Sequence, residues 1–291
     1  MTNRRLLIAS PAKSGVPTFY MTMFESLVRR PPAGWDVSFI VEAGNNALNI
    51  SRNMLAAEAI DGGFDRMVML DLDHPVTAEH FVRLLSHGML DDDIGHEAYP
   101  IVSGLYCMKK PGNPFFLGIR ERGAKEQGDG LLLARFLPTG FLSVSVAALR
   151  TMCEFHKNRE FYVQDDTVFP AMTPAPKKTK RMMTELFPIG INGPRTPDAR
   201  LRKIKELFAT GSATLEVIEN IATRTDLDAG YLTGEDYFFS HLAHQAGIKQ
   251  YLDVRCVIPH CGAIDFPITN KDALATSCQP IPEYEGDVSG W

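Results

Sequence analysis

The chain has 291 residues, 45% of them hydrophobic and 22% charged, with a formal net charge of −5. These proportions exclude a disordered or fibrous protein and supply enough apolar material for one large α/β domain. No apolar run approaches the roughly 20 residues that cross a bilayer, Met1–Ala9 is too short an apolar stretch for a secretory signal, and five scattered cysteines (Cys107, Cys153, Cys256, Cys261, Cys278) form no CxxC pair, so a soluble cytoplasmic protein with reduced thiols and no membrane partner is expected.

In chain order, Arg5 to Ser10 reads as a first strand that Pro11 ends. A helix is predicted from Thr18, where Phe19, Met23, Phe24, Leu27 and Val28 recur at helical spacing, and Pro31-Pro32 stops it. Asp36 to Glu42 is a second strand. The Gly44-Asn45-Asn46 turn then opens a helix through Ala47, Ile50, Met54, Leu55 and Ala59 that carries Arg52 and Asn53. A third apolar run ends abruptly in Asp71-Leu72-Asp73-His74-Pro75. This β-α-β-α-β opening is of the nucleotide-binding kind. GxGxxG and GxxxxGK[ST] are both missing, which disfavours a dinucleotide Rossmann site and a P-loop.

Thr77 is the predicted cap of a helix reaching Leu90, with Phe81, Leu84 and Leu85 on its inner face. Strands are predicted at Ile101–Tyr106, Phe115-Phe116 and Leu131–Phe136, followed by the segment Leu137–Leu142 and a helix over Ala147–Phe155. From about Val163 to Pro197 proline is frequent and periodicity poor, which marks an insertion. Helical character returns over Ala199–Ile221. Glu235 and Asp236 then open an amphipathic helix, where its dipole favours acids, and Tyr251–Ile258 is a last strand leading to Pro259-His260-Cys261-Gly262. A single domain over 1–291 with a basic insertion at about 163–210 is expected.

Two carboxylates one residue apart at the carboxyl end of a strand lie where open α/β sheets bind ligands. On an extended segment Asp71 and Asp73 would face the same way, a costly crowding unless a cation joins them. A divalent metal is the natural cation, and an ordinary Asx turn the competing reading. Glu235 and Asp236 have a duller reading as helix-capping acids, and Arg52 as a surface partner of Glu58 or Asp61.

The net charge hides an asymmetry. Between Lys177 and Lys205 there are nine basic residues, among them Lys177, Lys178, Lys180, Arg181, Arg200, Arg202 and Lys203, against two acidic ones; this local +7 leaves −12 on the remainder. Such a stretch fits a phosphate-backbone clamp for nucleic acid, or a lid whose cations face a diphosphate.

The order of features resembles the GT-A glycosyltransferases: an early β-α-β-α-β unit, a strand-terminal Asp71-x-Asp73, Thr139-Gly140-Phe141, a Gly234-Glu235-Asp236 that opens a helix, and His260-x-Gly262 at a strand end. The resemblance spans about Arg5 to Gly262 outside the basic insertion. It is strongest toward compact bacteriophage-type enzymes, some of which put sugars on hydroxymethylated pyrimidines in DNA. It implies an α/β protein of the GT-A (Rossmann-like) nucleotide-sugar-binding fold, with a mixed central sheet. It further implies a nucleoside-diphosphate sugar donor, UDP-linked by preference, and Mn²⁺ or Mg²⁺ to neutralise the leaving diphosphate.

Residue by residue, the resemblance makes Asp73 a direct metal ligand and His260 a second, with Asp71 at the metal, the ribose or the donor sugar. Arg52 would pair with the diphosphate, and Ser10, Pro11 and Asn53 would border the nucleoside. Gly140 beside Thr139 would let the backbone approach the donor sugar. Asp236, with Glu235 as second choice, would accept the proton of the attacking hydroxyl, or bind a substrate if configuration is retained. A DNA base would have to be flipped, with Phe187 a candidate to fill the gap. A glycan, protein or small-molecule acceptor, an Asp-x-Asp phosphohydrolase and a non-catalytic nucleic-acid-binding protein are the alternatives. The donor sugar, anomeric outcome and oligomeric state are left open.

Overall fold

The computed structural model describes residues 3–12, 16–43, 47–87, 99–106, 118–127, 129–164, 180–188, 190–192 and 231–259. Its strands are β1 (Arg4–Ala12), β2 (Trp35–Ala43), β3 (Arg66–Leu70), β4 (Ile101–Leu105), β5 (Ile119–Arg120), β6 (Leu131–Phe136), β7 (Phe141–Ser145), β8 (Glu160–Gln164), β9 (Lys180–Thr184), β10 (Gly190–Asn192), β11 (Tyr231–Thr233) and β12 (Gln250–Val257). Its helices are α1 (Thr18–Arg29), α2 (Leu48–Asp61), α3 (Ala78–Ser86), α4 (Val146–Phe155) and α5 (Glu235–Gln245).

Eight strands form one mixed sheet in the order β2-β1-β3-β7-β4-β12-β6-β5. β1, β2 and β3 run parallel, as do β4 and β12, while β7 lies antiparallel between β3 and β4. The carboxyl ends of β3, β4 and β12 and the amino end of β7 therefore meet at one edge. The strand alternation places helices on both faces. Leu6 and Ile8 of β1 pack with Tyr20, Met23 and Leu27 of α1 and Phe81, Leu84 and Leu85 of α3. Leu7 and Ala9 pack with α2, α4 and α5 through Leu55, Ala59, Leu149, Phe239 and Leu242. Each buried Leu, Ile, Met or Phe side chain among these contributes roughly 1.5–3 kcal/mol.

Helix α3 begins as the sequence predicts. The Thr77 hydroxyl accepts from the His80 backbone N–H while the His80 ring accepts from that of Thr77, a capping box with histidine in place of the usual Glu or Gln. Its hydrogen-bonded turns end at Ser86 rather than Leu90, which lies outside the described residues.

Three local expectations are corrected. Pro11 does not end β1: the strand continues to Ala12 on β2 alone, having left β3 at Ala9, so a residue without an N–H sits where one side is unpaired. The segment after Leu137 contains β7, a central strand. With both sheet faces covered, Phe-Leu-Ser-Val-Ser is buried throughout, its serines included. Ser145 then ends β7 and caps α4, its hydroxyl accepting from the Ala148 N–H at 3.1 Å. Parts of the presumed irregular insertion are regular: β8 pairs antiparallel with β9, and β10 with β11.

Candidate functional site

Asp71 and Asp73 come together through a turn, not through strand alternation. β3 stops at Leu70; the Asp71 N–H donates to the Gly140 carbonyl at 2.8 Å, and the His74 N–H returns to the Asp71 carbonyl at 3.3 Å. The Tyr20 hydroxyl from α1 bonds the carbonyls of Asp71 and His74, at 2.8 Å to the latter, and holds the turn from below. This wrapping brings one ligand atom from each of Asp71, Asp73 and His74 within 4.8 Å of one another.

The His74 ring is 1% exposed and lies against Tyr106, the centroids 4.1 Å apart. Its Nδ1 lies 3.2 Å from the Pro259 carbonyl beyond β12. A carbonyl only accepts, so Nδ1 carries the proton, and Nε2, 3.7 Å from Asp73 Oδ1, is the nitrogen turned toward the two carboxylates. A metal-binding imidazole is arranged in this way, one nitrogen oriented by a backbone acceptor and the other turned to the ion. Gly140 closes the site: a Cβ there would stand 2.6 Å from His74 Nε2, 2.6 Å from the Tyr106 hydroxyl and 3.0 Å from Asp71 Oδ2. The Gly140 N–H donates to the Tyr106 oxygen at 2.7 Å. Two carboxylates and an imidazole in so tight a cradle could hold a divalent ion.

A second half of the site meets the first through Arg52. This side chain of α2 is 1% exposed. Its Nη2 donates to both oxygens of Asp71, at 2.8 and 3.0 Å, and its Nη1 to Glu235 Oε1 at 2.8 Å and Asp236 Oδ1 at 2.7 Å. Asp236 Oδ1 also accepts from the Thr139 hydroxyl. Segments distant in sequence thus supply one connected polar network, and the surface pairing of Arg52 with Glu58 or Asp61 gives way to a buried one. Burial alone would weaken the hold of Arg52 on its proton, but Asp71, Asp236 and Glu235 outweigh it, so its pKa is raised and it is always charged. Burial also raises the Glu235 pKa, opposed by Arg52 and assisted by Asp236. Tyr106 is held neutral, its pKa pushed well up by burial and by the charges of Asp236 and Asp71.

The structure brings together Arg52, Asp71, Asp73, Thr139, Gly140, Glu235 and Asp236 among the residues singled out from sequence. Ser10 and Pro11 are buried near the carboxyl end of β1, and the Ser10 hydroxyl has no hydrogen-bond partner among the described residues. Asn53, expected beside a nucleoside, has its side chain engaged with protein: Oδ1 accepts from the N–H groups of Leu186 and Phe187 at 2.7 and 2.9 Å, and Nδ2 donates to the Asn49 carbonyl at 2.9 Å. Phe187 is fully buried and stacked on Phe239 at 4.5 Å, a core residue and no plug for a flipped base. His260, Lys177, Lys178, Arg200, Arg202 and Lys203 lie outside the described residues, whereas Lys180 and Arg181 open β9.

Sequence reasoning missed His74, Tyr106 and Tyr20 as site residues. Tyr106 and Tyr20 carry no sequence signal, since an aromatic at a strand end or in a helix face reads as core. His74 did carry one: it follows Asp73 directly, and an Asp-x-Asp-His run offers three ligands within one turn.

No family model matches the chain, and no curated protein matches it. Among solved structures, the A197 protein from STIV is 18% identical with a TM-score of 0.34, over 50% of this chain and 67% of that one. Mannose-1-phosphate geranyltransferase from Thermus thermophilus is 14% identical with a TM-score of 0.35, over 55% of this chain and 62% of that one. The functional reading therefore rests on the site itself. No helix among the described residues is long and apolar enough to cross a membrane.

Proposed function

We propose that the protein is a metal-dependent glycosyltransferase of the GT-A type, moving a sugar from a nucleoside-diphosphate donor, UDP-linked by preference, to a hydroxyl acceptor. The observation that carries this reading is the meeting, through buried Arg52, of the Asp71–Asp73–His74 cluster with the acids Glu235 and Asp236. Asp71, Asp73 and His74 would hold Mn²⁺ or Mg²⁺, with His260 next after Pro259 as a further ligand. The ion, when bound, supplies positive charge for the leaving diphosphate. Ser10 and Pro11 border the nucleoside side, and Arg52 adds a fixed positive charge between donor and acceptor.

At the acceptor end, Thr139 and Arg52 both hold Asp236 Oδ1 and so fix the orientation of a carboxylate that is 29% exposed. Asp236 is the group that takes the proton of the attacking hydroxyl as the new glycosidic bond forms. Glu235, more deeply placed, supports it or takes its role. Tyr106 stays neutral and keeps the Gly140 backbone in place. An Asp-x-Asp phosphohydrolase is the weaker reading, because His74-Pro75 follows Asp73 where such enzymes carry a Thr shortly after the motif.

The acceptor we favour is a 5-hydroxymethylpyrimidine base in DNA, on the strength of the positive charge concentrated between Lys177 and Lys205 in an otherwise acidic chain. The test is nucleotide release from a panel of sugar nucleotides with Mn²⁺, with and without DNA containing 5-hydroxymethylcytosine or 5-hydroxymethyluracil, beside an Asp73→Ala control. Release that needs such DNA and disappears in the variant supports donor and acceptor together. Release indifferent to DNA keeps the transferase and moves the acceptor to a glycan, a protein or a small molecule. No metal-dependent release from any donor overturns the reading.

A further inference from the structure

Arg52 has more to do than bind a phosphate. Its two terminal nitrogens are divided between the metal end of the site, where Nη2 grips both oxygens of Asp71, and the acceptor end, where Nη1 holds Glu235 and Asp236. The grip is tight enough to leave Nε buried with no hydrogen-bond partner among the described residues. One guanidinium thus faces three carboxylates, a formal −2 with its own charge counted, and Asp73 beside Asp71 adds a fourth acid. A divalent ion held by Asp71, Asp73 and His74 must take a lone pair from an Asp71 oxygen that Arg52 already engages, and it brings like charge against the guanidinium.

We propose, on the basis of the glycosyltransferase reading above, that Arg52 is the resident counter-cation of the donor site: it competes with the metal for Asp71, and metal binding shifts its hold toward Glu235 and Asp236. Arg52 is thus a positioning residue that communicates the loading of the donor end to the carboxylates of the acceptor end. The ligand that triggers this is the metal alone, so the effect precedes any sugar nucleotide. The competition also has a sign that an ordinary structural salt bridge lacks. Removing a merely structural arginine loosens the site and weakens metal binding, whereas removing a competitor strengthens it.

The experiment is titration of Mn²⁺ into wild-type protein, Arg52→Gln and Arg52→Lys by calorimetry, with circular dichroism and thermal unfolding of each with and without Mn²⁺. Arg52→Gln is expected to bind Mn²⁺ about tenfold more tightly than wild type, the order of effect when a unit charge beside a carboxylate is removed. Its unfolding temperature should depend more steeply on Mn²⁺ than that of wild type. Arg52→Lys, which keeps the charge and loses the two-pronged contact, should fall between them, and it carries the test if the glutamine variant does not fold. Equal or weaker Mn²⁺ affinity in a folded variant overturns the proposal alone. Wild-type protein that binds no Mn²⁺ overturns the glycosyltransferase reading, and this proposal with it.

Discussion

His74 and Pro259 are joined across 3.2 Å by an Nδ1 to carbonyl contact that ties the turn after β3 to the exit of β12. The contact fixes which nitrogen of the ring faces Asp73. It also makes the candidate metal site depend on the course of a strand nearly two hundred residues further along the chain.

His74→Gln should therefore reduce Mn²⁺ affinity by about 10- to 100-fold, the range found when a ligand or its orienting partner is lost. The circular dichroism spectrum should remain that of wild type. Calorimetric titration decides it: unchanged affinity would remove His74 from the ligand set.

Gly140→Ala tests the cradle. Its Cβ would meet His74 Nε2 and the Tyr106 oxygen at 2.6 Å, and neither ring is a flexible end that swings away. The expected cost is about 1–3 kcal/mol in urea unfolding, as for overpacking elsewhere, together with loss of Mn²⁺ binding. A variant with wild-type stability and affinity would show that the cradle is looser than described.

Asp253 holds the part of β12 that leads to Pro259. Fully buried, it accepts from Arg83 of α3 at 2.6 Å and from His87 just after that helix at 2.9 Å, and from the N–H groups of Arg255 and Cys256, where β12 slips in register against β4. Burial pushes its carboxyl pKa up, but the bonds from His87 and Arg83 prevail and leave it lowered. Its contribution to stability is then full above the ordinary aspartate pKa and lost as pH falls through the folded value. Asp253→Asn should cost about 3 kcal/mol at pH 7, as when one partner of a buried pair is removed. The gap to wild type should narrow as pH falls below about 4. Urea midpoints at pH 7 and pH 3 measure both.

His241 also costs stability as pH falls, but over a higher range. Burial, with Arg135, His244 and His156 nearby, lowers its pKa to about 4. The unfolded chain takes up a proton below about pH 6.5 that the folded protein refuses, so His241 costs stability progressively from there down to about pH 4. His241→Phe should flatten the decline of the urea midpoint between pH 7 and pH 5, and an unchanged slope would contradict this assignment.

Much of the architecture was legible because it is written in local signals. Alternation and punctuation marked β1, α1, β2, α2 and β3 to within a few residues, Thr77 announced α3, and Asp71 and Asp73 stood out as acids ending an apolar run. β7 was not legible as a strand, since its alternating stretch Leu142–Ser145 is only four residues long and runs directly into the helix that Ser145 caps. Nor did the sequence reveal the geometry of the acids, which the turn to His74 sets rather than the strand.

By itself, then, the sequence determined an α/β protein with carboxylates at a strand end and at a helix start, because periodicity and chain breakers act over a few neighbouring residues. Only the tertiary structure decided that Arg52 joins Asp71 to Glu235 and Asp236, and that His74, Tyr106 and Gly140 close on the same point. The physical reason is burial. A guanidinium on α2 has no local partner in reach, and its energy depends on which distant charges the folded sheet brings to it once water is excluded.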